Sequence, residues 1–209
     1  MNWLILTGTT LVFVYELSLT PPELERFIQA FALVPARWQS DPTYFIITIF
    51  TSMFMHAGWF HFLSNMWVLY IFGDNVEDRM GPASYLVFYL LSGTAAALLQ
   101  TYFFASSSIP TLGASGAIAG VLGAYILLYP RARVATLVPL FFVLTVMDIP
   151  ASVFLGFWFV SQLFSGIASI GVDAGGVAWW AHIGGFVFGL LMVYVFAQRR
   201  PPRAPQVFG

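Results

Sequence analysis

Long apolar runs alternate with short polar breaks along this chain, and the breaks set where its helices begin and end. Residues 3–19 are apolar apart from Thr7, Thr9, Thr10 and Glu16, and they read as a short first transmembrane helix. A cleaved signal peptide is not expected there. No basic segment precedes the run, and no small-x-small site precedes Pro21. Thr20-Pro21-Pro22-Glu23 has the form of a helix start, with Thr20 as cap, Pro22 in the first turn and Glu23 at the capping-box position. Leu24, Phe27, Ile28 and Phe31 then recur at helical spacing, with Glu23, Glu25, Arg26 and Gln29 off that stripe. The pattern predicts an amphipathic helix lying in the membrane interface, inside a long first loop whose end is bracketed by Pro35 and Pro42.

Residues 44–73 are too long for one simple span, and His56-Ala57-Gly58 breaks the run. The second membrane helix is placed from about Trp59 to Gly73, extending towards Asp78. Gly81-Pro82 ends that connection, and a third span covers about 84–104. The fourth helix covers about Ser115 to Tyr129 and stops at Pro130-Arg131. Residues 134–168 are again too long, with Asp148 and Pro150 in the middle. The reading is an interfacial or irregular piece over 134–147 and a fifth span over 150–168. The sixth span covers about 179–197 and ends at Arg199-Arg200. Aromatic residues at 141–142, 157–159 and 179–180 read as lipid-facing or interfacial anchors.

The predicted fold class is therefore an all-α polytopic membrane protein. It is a six-transmembrane-helix bundle with an interfacial amphipathic first loop. The whole of 1–209 is read as one membrane domain, with a core of about 3–197 and a tail of 198–209. Composition agrees: 59% of residues are apolar and 8% charged, and mean hydropathy is +0.84. So few charges point to lipid as the solvent. The chain has no cysteine, which excludes disulfides and thiolate metal sites. A net charge of −1 argues against nucleic acid as a partner. Arg79, Arg131, Arg133, Arg199, Arg200 and Arg203 fall on one side of a six-span topology, against Arg26 and Arg37 on the other. That bias predicts a cytosolic C-terminus. A minimal six-span core without a visible organelle-targeting segment suggests a bacterial plasma membrane. Nothing in the pattern sets an oligomeric state.

The candidate chemistry lies inside the apolar helices. Gly113-Ala114-Ser115-Gly116 places a serine among small residues at the head of the fourth helix. Ser115 lies sixteen residues before Arg131 and His182 seventeen before Arg199. At helical rise both sit roughly 24–26 Å from those arginines, within a hydrocarbon core about 30 Å thick. His61 and Asn65 are one turn apart on the second span and share a face at a depth that brackets the same level. Gly116, Gly120 and Ala124 form a small-residue stripe, and Gly185 and Gly189 form another on the sixth helix. Packing those stripes would bring Ser115 and His182 together. A serine needs a base to become a nucleophile, and histidine is the usual one. The N-terminal N–H groups of the fourth helix, with His61 and Asn65, are candidate donors to an oxyanion. With no acidic residue near this level in the helices, a Ser–His dyad is expected rather than a triad. A serine in a glycine-rich membrane helix is more often a packing residue, so the conjunction carries the argument. Metal binding by His56, His61 and His182 is disfavoured, because there is no HExxH and no cysteine. His56 reads as structural, hydrogen-bonded where the loop enters the second helix.

These residues resemble the rhomboid intramembrane serine proteases over about residues 11 to 197. The resemblance rests on His56-x4-His61-x3-Asn65, Glu77-x-Arg79 before Gly81, Gly113-Ala114-Ser115-Gly116, and Ala181-His182-Ile183-Gly184-Gly185 with Gly189. It implies Ser115 as nucleophile and His182 as general base. His61, Asn65 and the Ser115 backbone N–H would form the oxyanion hole, with Gly113 counted among the oxyanion and substrate-binding residues. The implied substrates are membrane-spanning helices of other proteins within the lipid bilayer, cleaved without cofactor or metal. Two positions depart from the family's pattern. Where some members carry an aromatic residue stacked on the histidine, this chain has Ala119, so the histidine must be held another way. Where some carry a Trp-Arg pair in the first loop, it has Ile47-Thr48. Two other readings compete: a non-catalytic protein that binds client helices, and a small transporter. Inactive relatives lose the serine or the histidine, and this chain keeps both. A transporter predicts an internal repeat, which the chain lacks.

Overall fold

A computed structural model describes residues 1–140, 143–172 and 175–198. Among them are α1 (Asn2–Ser18), α2 (Pro21–Phe31), α3 (Arg37–Ser40), α4 (Pro42–Ser52), α5 (Trp59–Met80), α6 (Pro82–Phe103) and α7 (Ser115–Leu128). The strands β1 (Arg133–Leu140) and β2 (Val143–Pro150) follow, then α8 (Ala151–Ala168) and α9 (Trp179–Phe196). The molecule is mostly helical. By length and composition α6, α8 and α9 are apolar enough to cross a membrane.

The helix boundaries follow local chemistry. The Thr20 N–H donates to the Glu23 carboxylate at 2.9 Å, as in the expected capping box, and Pro21 occupies the first turn of α2. Gly81, at φ +81°, closes α5 by donating its N–H to the Glu77 carbonyl at 2.7 Å, and Pro82 then opens α6. A left-handed backbone at this turn favours the residue without a Cβ.

The core sits around α7, most of whose residues are buried. A helix that is apolar all round belongs in the middle of a bundle. It packs most extensively on α9, and α5 and α6 also flank it. The α7–α9 contact uses the small-residue stripes seen in the sequence. A Cβ on Gly185 would collide with the Gly116 carbonyl, and one on Gly189 with the Gly120 carbonyl. The two backbones therefore touch, which is how helices gain van der Waals contact where lipid gives no hydrophobic drive. At fourteen residues α7 is about 21 Å long, against about 33 Å for the twenty-two residues of α6.

The structure differs from the sequence reading in several places. Residues 134–140 and 143–147 are regular strand rather than an irregular piece, so the all-α expectation is corrected. They lie in an antiparallel hairpin whose register runs from Arg133 opposite Pro150 to Leu140 opposite Val143. Valine and threonine along both strands, with Ile149 in β2, favour extended backbone. The Ala151 N–H closes the base on the Ala132 carbonyl at 2.9 Å. The fragment 44–58 divides into α4 and a turn, with Asp41 capping α4 through the Tyr44 N–H at 3.1 Å. Gln198, assigned to the tail, is tied to the bundle, its side chain donating to the Met80 carbonyl at 2.8 Å. The anchors at 141–142 and the tail residues 199–209 lie outside the described residues. Of the remaining aromatic anchors only Phe157, 78% exposed, points fully outward. Phe159 stacks on Phe186 and Trp180 on Phe103, because both rings face neighbouring helices.

Candidate active site

Ser115 is the first residue of α7, so its backbone N–H has no intrahelical partner and sits at the positive end of the helix dipole. Its position is braced from the first loop. Leu33 and Thr111 exchange backbone hydrogen bonds at 3.0 and 2.7 Å, and the Ala36 N–H donates to the Ser107 carbonyl at 2.9 Å. The turn at Gly113 has φ +134°, and a Cβ there would press on the His61 ring at 2.7 Å. Only glycine fits this turn beside Ser115.

His182 stands in the first turn of α9, across the α7–α9 contact from Ser115. Its Nε2 lies 2.8 Å from Ser115 Oγ. Its Nδ1 lies 2.8 Å from the Gln162 side-chain oxygen on α8. The Trp158 ring lies beside the imidazole, with centroids 5.8 Å apart and planes inclined by 34°. Trp179 meets it edge-on at 6.3 Å.

The Ser115–His182 pair opens on a cavity of about 840 Å³, whose walls include His61, Asn65, Trp158 and Trp179. His61 Nδ1 accepts the Ala57 N–H at 3.4 Å, which leaves Nε2 as the protonated nitrogen of a neutral ring. The buried Asn65 donates one amide hydrogen to the His61 carbonyl at 2.7 Å and keeps a second hydrogen. The site thus holds a hydroxyl paired with an imidazole, a helix N-terminus and two side-chain donors around one space wide enough for a peptide segment. That set suits attack by the hydroxyl on a carbonyl and stabilisation of the oxyanion formed.

The four polar residues picked from the sequence thus surround one cavity. Gly113 does not contribute a donor. Its N–H is engaged by the Ser52 carbonyl at 2.9 Å, so it supplies room for His61 instead. His56 is structural, but its hydrogen bond is made by the backbone: its N–H donates to the Glu16 carboxylate at 3.1 Å. Its ring packs edge-on against Phe13 and Phe62. Glu16 also corrects the expectation that no acidic residue lies near this level, because the His56 ring is 4.9 Å from that of His61. Sequence reasoning missed Gln162. Its signal was available: an amide in an eighteen-residue apolar helix is costly unless bonded. Among the described residues no cluster of three His, Cys, Asp or Glu side chains is arranged to hold a metal.

Fold and site together define a helical membrane protein with a serine–histidine pair facing an internal cavity. The chain belongs to the rhomboid family: a family model described as the Rhomboid domain matches residues 45–199. Rhomboid protein 1, mitochondrial, of Saccharomyces cerevisiae is 30% identical over 181 residues, which is 81% of this chain and 46% of that protein. RHOMBOID-like protein 1 of Arabidopsis thaliana is 31% identical over 158 residues, 72% of this chain and 34% of its own length. Inactive RHOMBOID-like protein 8 of Arabidopsis thaliana is 34% identical over 76 residues, 36% of this chain and 21% of that protein. The chain spans less than half the length of these relatives. The expectation of a bacterial plasma membrane is corrected by these matches. The relatives are eukaryotic and several carry mitochondrial or chloroplastic names, which conflicts with it. The physical reason is that a hydrophobic core reports the need for a bilayer, not which bilayer. The chain is a membrane protein.

Proposed function

We propose that this chain is an intramembrane serine endopeptidase that cuts peptide bonds in or near transmembrane helices of other proteins. The reading takes α1, α5, α6, α7, α8 and α9 as six spans, with α2 in the interface, all within one membrane domain. The observation that carries it is the 2.8 Å contact between Ser115 Oγ and His182 Nε2 at the wall of a cavity that a peptide can enter.

In this mechanism Ser115 Oγ attacks the carbonyl carbon of the scissile bond as its proton passes to His182 Nε2. The carbonyl oxygen becomes an oxyanion held by the Ser115 N–H, His61 Nε2–H and the second Asn65 amide hydrogen. When the intermediate collapses, the C–N bond breaks and the leaving amine takes the proton from His182. Water then attacks the acyl-enzyme, again giving its proton to His182, and Ser115 is regenerated. The chain's own groups supply every proton transfer, so the mechanism calls on no cofactor. A substrate helix must unwind locally, because its carbonyls are otherwise hydrogen-bonded within the helix.

The test is cleavage of a model single-span substrate by the purified full chain in detergent. Ser115→Ala and His182→Ala are each expected to lower the rate by at least about a thousandfold. Retained cleavage by Ser115→Ala would overturn the assignment of the nucleophile. A wild-type protein that neither cuts nor is labelled at Ser115 by a fluorophosphonate would favour a client-binding role instead. One of the matched relatives is named as inactive.

A further inference from the structure

We infer that Gln162 is a positioning residue that sets the tautomer of His182. The inference rests on the protease reading above. Neutral imidazole exists in two tautomers, and only the one protonated on Nδ1 leaves a lone pair on Nε2 to take the serine proton. The usual way to impose that tautomer is a carboxylate against Nδ1. Among the described residues no acidic side chain is hydrogen-bonded to His182. Gln162 Oε1 occupies that place at 2.8 Å.

A primary amide has a donor end and an acceptor end, so its direction must be fixed before it can impose anything. Two contacts fix it. Gln162 Nε2 lies 3.2 Å from the Trp158 carbonyl, which only accepts. It also lies 3.0 Å from Ser161 Oγ, whose own hydrogen is directed to the same Trp158 carbonyl at 2.6 Å. Both neighbours therefore require a donor, and the NH2 group must face them. The amide oxygen is then the end that faces the imidazole. An acceptor against Nδ1 requires Nδ1 to carry the hydrogen. Nε2 is left unprotonated opposite Ser115 Oγ, and the serine hydroxyl donates to it at 2.8 Å.

The relay runs through residues on three helices, and its direction is set at the Trp158 carbonyl. Gln162 is 4% exposed in a helix whose other polar side chains are serines. A buried amide is tolerated only when bonded. A leucine of similar volume would fill the space without orienting the ring, which separates this role from packing.

The experiment uses the full chain in micelles with 15N-labelled histidine. Its three histidines are assigned by single substitution, and the ring nitrogens are read by NMR at pH 7.5. Wild type is expected to show His182 protonated on Nδ1. Gln162→Leu is expected to lose that preference, and to lower kcat for the model substrate by at least about tenfold with KM within about twofold. Gln162→Glu keeps an acceptor and is expected to restore both the tautomer and kcat to within about threefold of wild type. Protonation on Nε2 in wild type would overturn the inference, and that reading needs no variant to fold. Wild-type kcat in a folded Gln162→Leu protein would also overturn it. Failure of the protease reading looks different. Wild type would then resist fluorophosphonate, while the Nδ1–H tautomer and its loss in Gln162→Leu would still support Gln162 as the group that orients the ring.

Discussion

His56 shows how one buried ring links sequence to stability. Burial first, and the neighbouring His61 second, hold its imidazole down at about 4, against an ordinary 6.5. A depressed value means that the unfolded chain binds a proton that the folded chain refuses. The resulting stability is present above pH 6.5 and is lost as pH falls towards 4, on the order of 3 kcal/mol in full. Thermal denaturation in detergent at pH 7.5 and pH 5 is expected to show wild type losing more than His56→Leu over that interval. Equal losses would remove the assignment. The His56 and His61 positions were legible in the sequence because polar rings near an apolar run stand out. Their different roles were read there too, but the partners were not: that the Glu16 carboxylate takes the His56 N–H and that the Gly113 turn abuts the His61 ring depends on contacts in space.

At the scale of elements, the α7–α9 seam is the contact on which the site depends. Gly185 admits no Cβ because the Gly116 carbonyl occupies that space. Gly185→Ala is therefore expected to destabilise the protein by about 1–3 kcal/mol. Gly156 lies in the open on α8, with nothing within 4 Å of the point a Cβ would occupy. Gly156→Ala is expected to stabilise by about 0.4–1 kcal/mol through the unfolded chain. Melting temperatures of the two variants moving the same way would count against the close approach. The glycine spacing announced this seam, because small residues at i and i+4 mark one helix face. The hairpin did not announce itself. Both of its faces carry apolar residues, among them Leu137, Val143, Leu144 and Val146. No polar alternation therefore remained to distinguish strand from membrane helix.

For the whole molecule the outstanding prediction is topology. The chain has no cysteine, so single cysteines report position without background. With six spans, cysteines at the exposed positions Gln29 and Ser106 are expected to react with a membrane-impermeant maleimide from one side of oriented vesicles. Cysteines at the exposed positions Ala83 and Arg131 are expected to react from the other. Labelling of Gln29 and Ala83 positions from the same side would remove α5 as a span. The cavity at the head of α7 is lined partly by polar groups, among them Ser115, His61 and Asn65.

The sequence by itself determined every helix but α3 and α4, and most of their ends, because lipid forces backbone groups to bond within a segment and the breaks are marked by proline, glycine and charge. It also singled out Ser115, His61, Asn65 and His182, since polar groups in apolar runs are costly enough to need a reason. Tertiary structure alone decided which groups meet. The rotation of α8 about its axis turns Gln162 to His182, and the fold of the first loop engages the Gly113 N–H with Ser52. Those partners are distant in sequence, and a hydrogen bond depends on orientation to within a few tenths of an ångström, which no periodicity along the chain encodes.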